Sequence, residues 1–230
     1  VEFIESRDYG QTPIARRHAP VATFGSDGYR KYRPCLRLDF EFRCAYCLSH
    51  EAEVAPGASF GGFEIDHFKP AHRREFRSLR NRYSNLFWTC HACNRAKKGT
   101  WPSDAEQQAG YRFLDPCADA LGKHLSLNGD AVVRREASDL AATYTIEQIN
   151  LNSALQRSRR SRRRTVLTRV ATLQANAEMF RHEIGQLDLN ESERAGLAAR
   201  IEELELQSRQ LLAALGDGPW DPPDRCYCAL

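Results

Sequence analysis

The chain has 230 residues, 42% hydrophobic and 27% charged, with a formal net charge of +3. That length suits one ordinary domain or a small domain with an appendage, and the composition is that of a soluble globular protein. No apolar run approaches the roughly 20 residues needed to span a bilayer, so no membrane partner is expected, and so small a net charge does not by itself imply a nucleic-acid partner.

Residues 1–28 are rich in Gly, Pro and charge, with little periodicity, and are expected to form an N-terminal arm or loose cap. Tyr29 to Arg43 predicts a short helix after Pro34, leading directly into the first CxxC, Cys44 and Cys47. Turn formers fill Glu51 to Gly62. Phe63 to Phe68 alternates as a strand, with Phe63, Ile65 and His67 on one face and Glu64 and Asp66 on the other. The basic stretch Lys69 to Arg82 reads as a loop with one helical turn, and Asn85 to Thr89 as a second strand. A helix from Cys93 to about Lys98 should end at Gly99, before Pro102.

Beyond Trp101 the signals thin. LSLNGDAVVRRE predicts a hairpin turning at Asn128-Gly129. Thr145 is expected to cap a helix running through IEQINLNSALQRSRR, since Gln148 sits at its third position. Apolar residues then recur at helical spacing at Val166, Val170, Leu173, Ala177, Phe180 and Ile184, and again at Leu197, Ile201, Leu204, Leu211 and Leu212. Asn190 followed by Glu193 signals the start of the last helix. Gly185 to Leu189 turns the chain between them, giving an antiparallel pair whose stripes serve packing or, alternatively, homo-oligomerisation. The Pro-rich tail from 217 to 230 is expected to be irregular.

Eight cysteines are present, and Cys35, Cys117, Cys226 and Cys228 are scattered. The other four form two CxxC pairs, Cys44/Cys47 and Cys90/Cys93. The opening VEFIESRDYG lacks the basic-then-apolar pattern of a signal peptide. Paired CxxC without an export signal favours a metal, zinc first, over disulfides, and points to a reducing cytoplasm. His91, between two of these cysteines, is expected to be exposed because four thiolates already complete a tetrahedral site.

Between the pairs lies Asp66-His67. Cutting a phosphodiester needs an activated water, stabilised phosphate charge and help for the leaving oxygen. A divalent ion can supply the second and third while a neutral imidazole takes the water's proton. His67 is the candidate base. Asp66 faces the opposite way on a regular strand, so a metal there requires a local twist or bulge. Asn94 offers a second oxygen ligand from the helix, and hard oxygen ligands favour magnesium or manganese.

The order Asp-His, then Asn in a second strand, then CxxC followed at once by Asn and by lysines resembles the HNH endonucleases of the ββα-metal (His-Me finger) class, over about Cys44 to Gly99. The resemblance implies His67 as general base, Asp66 and Asn94 as ligands of a catalytic divalent cation, and Asn85 as the residue that braces the loop and orients the base. It also implies a structural zinc on Cys44, Cys47, Cys90 and Cys93. Farther on, YRFLDPC and YTIEQINLN with their arginines resemble bacterial HNH proteins of anti-phage defence, retron-linked or Septu-type, in which the nuclease works beside an ATPase or sensing partner.

Lys97, Lys98, Arg73 and Arg74, together with Lys69 and His72, are candidate phosphate contacts, or simply solvated charges. The run Arg157 to Arg164 concentrates arginine within about two helical turns. Its members Arg159, Arg160 and Arg163 are expected to meet nucleic acid, the alternative being pairing with Glu202, Glu203 and Glu205. The expectation is therefore an α+β protein. It divides into an arm (1–28), a zinc-stapled nuclease core (29–115), a connecting segment (116–150), a helical pair that is basic at its start (151–216) and a tail (217–230). Its expected substrate is double-stranded DNA. The rival reading is a silent zinc-ribbon module that binds nucleic acid or docks a partner.

Overall fold

The computed structural model describes residues 9–18, 28–55 and 62–216. The tail, with Cys226 and Cys228, lies outside them. Two compact units divide the chain, one holding residues 7–159 and the other 160–220.

In the first unit, Pro34 opens helix α1 (Arg33–Asp39), where a missing N–H is harmless. The four-residue α2 (Glu51–Val54) is capped by His50, whose ring accepts the Ala52 N–H while the Glu53 carboxylate accepts the His50 N–H. Strand β1 (Phe63–His67) pairs antiparallel with β2 (Leu86–Cys90), Phe63 opposite Cys90 and His67 opposite Leu86. The connecting loop carries a 3-10 turn at Arg74–Leu79. Helix α3 (His91–Lys97) follows without a gap and stops where Lys98 and Gly99 take positive φ of 44° and 70°. Gly99 supplies the left-handed conformation that this turn needs. The expected strand, loop, strand, helix order is present.

Every residue of β2 is buried, and its two faces carry different aromatic clusters. Trp88 stacks on Phe63 at 5.6 Å, while Phe87 meets Phe40, Tyr46 and Phe68. Buried polar groups stitch this core. Arg37 pairs with both oxygens of Glu51, at 2.9 and 2.7 Å, and the Trp88 indole donates to the same carboxylate at 2.7 Å. The described part of the arm is docked rather than loose. Arg16 lies over the rings of Phe40, Tyr83 and Phe87 and donates to the Tyr83 and Leu86 carbonyls.

The segment 116–150 does not behave as a connector. It forms α4 (Asp104–Gln108) at its approach, then α5 (Leu121–His124), a hairpin of β3 (Leu125–Asn128) and β4 (Ala131–Arg134), and α6 (Leu140–Gln148). Leu121, Leu125, Val132, Ala142 and Tyr144 join the same core as Trp88. The hairpin turns on Gly129-Asp130, one residue later than expected, because Asn128 pairs with Ala131.

The helix expected to run from Thr145 into the arginines is two helices. Asp139 caps α6, accepting the Ala142 N–H at 2.8 Å. Thr145 is buried inside it, its hydroxyl accepting the Leu114 N–H. Asn150, at φ 53°, breaks the chain before α7 (Ala154–Gln186) begins.

The second unit holds the rest of α7 and α8 (Glu191–Ala214), whose start carries the expected Asn190–Glu193 capping box. Leu173, Ala177, Ile201 and Leu204 form its seam, flanked by Phe180, Ile184 and Leu211. The stripes therefore meet each other, as simple packing requires. Glu205 pairs with Arg181 and Arg209, and Glu203 with Arg200.

Candidate active site and metal centre

Cys44 and Cys47 come from the turn after α1, and Cys90 and Cys93 from the junction of β2 and α3. All four are buried, with their sulfur atoms within 4.8 Å of one another. Four ligands at about 2.3 Å in a tetrahedron place sulfurs about 3.8 Å apart, and Cys47 Sγ and Cys90 Sγ are separated by 3.7 Å. Burial pushes the Cys44 thiol well up, whereas hydrogen bonds from Cys44, Cys47 and Cys93 draw Cys90 far down. Sulfurs this close share protons until a cation replaces them, and the all-thiolate set points to a structural zinc. His91 is exposed, 3.9 Å from Glu64, and stands outside the cluster as expected.

His67 ends β1. Its Nε2 lies 2.9 Å from the Arg80 carbonyl oxygen. A carbonyl can only accept, so Nε2 carries the hydrogen and Nδ1 is left with a lone pair. Burial lowers the imidazole's pKa, more than the Arg80 bond raises it, and keeps the ring neutral. Tyr29 meets the ring edge-on at 4.8 Å. Asn85 braces this arrangement. Its side chain accepts the Lys69 N–H at 2.9 Å and donates to the Lys69 and Leu79 carbonyls, closing the loop that presents Arg80.

Asp66 faces away from His67, as strand alternation demands, and is 5% exposed. Lys97 Nζ sits 2.9 Å from each of its oxygens and 2.8 Å from the His67 carbonyl, and the Tyr46 hydroxyl donates to it at 2.7 Å. Burial, with the carboxylate beside it, pushes the Tyr46 phenol well up, so it remains a donor. Lys97 is therefore no phosphate contact. It is completely buried and ties the last turn of α3 to the end of β1. Asn94, on the same helix, is half-buried and its side chain makes no hydrogen bond among the described residues.

Residues 44–100 match the family model for HNH endonuclease. This segment is an HNH domain. No curated protein and no solved structure matches the chain. An HNH domain implies a divalent cation, and the donor types fit one: a carboxylate and an uncommitted amide oxygen are hard ligands. Asp66 fits only if Lys97 yields an oxygen, because an ammonium at hydrogen-bond distance repels a cation on the same carboxylate.

Around His67, the loop from 69 to 82 exposes Arg74, Arg77, Arg80 and Arg82, with Arg73 half-buried and donating to the Trp101 carbonyl. Lys98 is exposed just after α3. Of the later arginines, Arg160 and Arg163 are half-buried, and Arg159 is turned toward the metal centre, Nη1 to Cys90 Sγ at 3.9 Å. Three residues that sequence reasoning missed are Tyr46, Arg80 and Gln156. Only Tyr46 carried a local signal, lying inside the first CxxC. Among the described residues, no helix is long and apolar enough to cross a membrane.

Proposed function

We propose that the HNH domain hydrolyses phosphodiester bonds, with DNA as substrate and His67 as general base. The observation that carries this reading is the Nε2 bond from His67 to the Arg80 carbonyl, in a ring whose pKa burial has lowered. Nδ1 takes a proton from water as the water oxygen bonds to phosphorus. The phosphorus–oxygen bond to the leaving nucleoside breaks, and that oxygen is protonated from solvent. Asn85 holds the loop, and hence the Arg80 oxygen, in place through the step. The exposed arginines of the same loop offer positive charge to the substrate phosphates.

When bound, a magnesium or manganese ion supplies Lewis-acid stabilisation of the phosphate and the leaving oxygen. Asp66 and Asn94 are the residues that would hold it. Lys97 keeps the end of β1 seated and sets the terms on which Asp66 becomes available.

His67→Ala tests the reading. Cleavage of plasmid DNA should fall by about 10²–10⁴-fold, the range for a lost general base, with metal content and DNA retention unchanged. A variant that cuts like the parent would refute the assignment. A parent that binds DNA but never cuts would favour the silent binding module. The pH profile gives the sign. A neutral base is required, so activity is lost as pH falls through the pKa of His67, and that midpoint should lie below the ordinary imidazole value of about 6.5.

A further inference from the structure

The four cysteines sit beside the first two turns of α7. Gln156 is 2% exposed, and its Nε2 lies 3.2 Å from Cys93 Sγ and 3.8 Å from Cys90 Sγ. Arg159, one turn on, brings Nη1 to 3.9 Å from Cys90 Sγ. On the other side of the cluster, Ser49 Oγ lies 3.5 Å from Cys47 Sγ.

The opposite end of the Gln156 amide is informative. Its Oε1 is buried and has no hydrogen-bond partner among the described residues. An unsatisfied buried acceptor is unfavourable, and turning the amide over would bring that oxygen against the sulfurs. Thiols could donate to it there. Metal-bound thiolates have no proton to give and only accept. An amide that directs its N–H groups at the sulfurs, and leaves its oxygen orphaned, matches the metal-loaded state. A divalent ion with four thiolates carries a net charge of about −2, which two amide N–H groups and a guanidinium on one side oppose.

We propose that Gln156 and Arg159 are outer-sphere donors to the metal-bound thiolates of Cys90 and Cys93, and that they set how long the centre keeps its metal. The proposal rests on the reading of the four cysteines as a metal centre. It gives the arginine run a second use, since the half-buried Arg159 serves the metal while Arg157, Arg162 and Arg164 are exposed. It also means that the residues matched by the family do not complete the centre. The last donors come from beyond residue 150.

Gln156→Met is the decisive variant, because it keeps length and burial, removes the donor and removes the orphaned oxygen. A purely structural role predicts that this exchange is neutral or stabilising. An outer-sphere role predicts that zinc passes to a chromogenic chelator roughly 10- to 100-fold faster, the usual cost of losing such a donor. Arg159→Ala should show a smaller acceleration and Arg157→Ala none. In the cobalt-loaded full-length protein, the sulfur-to-cobalt charge-transfer band should move to longer wavelength in Gln156→Met, since an unbonded thiolate gives up its electron more readily.

Gln156→Glu, nearly isosteric but carrying a carboxylate toward the sulfurs, should release zinc faster still. Release from both Gln156 variants at the parental rate, with the cobalt band unmoved, would overturn the proposal while leaving the metal centre intact. A parent that forms no tetrathiolate cobalt spectrum would overturn both.

Discussion

Trp88, Phe87, Lys97 and Gln156 disappear entirely into the first unit, whereas α7 and α8 of the second meet along a seam of Leu173, Ala177, Ile201 and Leu204 with mostly exposed flanks. In the first, charged side chains are drawn inside and neutralised there: Arg37 by Glu51, Lys97 by Asp66. In the second they stay at the surface, where Arg181–Glu205 and Arg200–Glu203 gain little against solvent. The first unit thus depends on a few specific polar joints, and the α7–α8 helical hairpin on repeated apolar contacts. A single lost joint should be severe in one and tolerable in the other.

Metal removal should separate the regions most. Cys93→Ser or strong chelation removes folding free energy on the order of 10 kcal/mol. Hydrogen exchange should then show protection lost across β1, β2 and α3 but kept along the α7–α8 seam. Loss in both together would break the comparison. Next comes Glu51→Gln, which strands the Arg37 charge in the core. It should cost about 3–5 kcal/mol, read as the midpoint of denaturation by tryptophan fluorescence. Leu204→Ala opens a cavity in the seam worth about 2–5 kcal/mol. It should loosen α7–α8 in hydrogen exchange while protection across β1 and β2 stays at the parental level. The smallest effect is expected from Asn190→Ala. Losing the cap of α8 should cost about 1 kcal/mol, visible as a modest drop in helical melting temperature and as no change in zinc content.

The same division explains what could be read from the chain in advance. The hairpin's stripes, its Asn190 cap and its turn are local patterns, and they were legible almost to the residue. In the HNH domain the strand–loop–strand–helix order and the four-cysteine cluster were legible from local pattern and spacing, whereas the roles expected of His67 and Asn85 came from the family resemblance. What stayed hidden depended on partners far apart in sequence. Lys97 looks like any lysine at the end of a basic helix until Asp66, 31 positions away, meets it. Gln156 reaches Cys93 across 63 positions. Thr145 resembles a helix cap, but Leu114 claims its hydroxyl. In each case tertiary contact overrode a local preference. The packing of the 116–150 segment, beyond its expected hairpin, stayed hidden for the same reason, because its short apolar runs show no long period and reveal their core role only when packed.

The Arg16 guanidinium grips the Tyr83 and Leu86 carbonyls on either side of Asn85 and covers the Phe87 ring. The loop that steadies the candidate base is therefore itself held from outside the matched residues. A fragment cut to 44–100 would keep every residue proposed for phosphodiester cleavage and still leave this loop without its clamp and Phe87 without its lid. Anyone dissecting the protein should treat the arm around Arg16 as the first piece of the working unit, because the limits of a motif mark where ancestry is recognisable and not where a fold is self-sufficient.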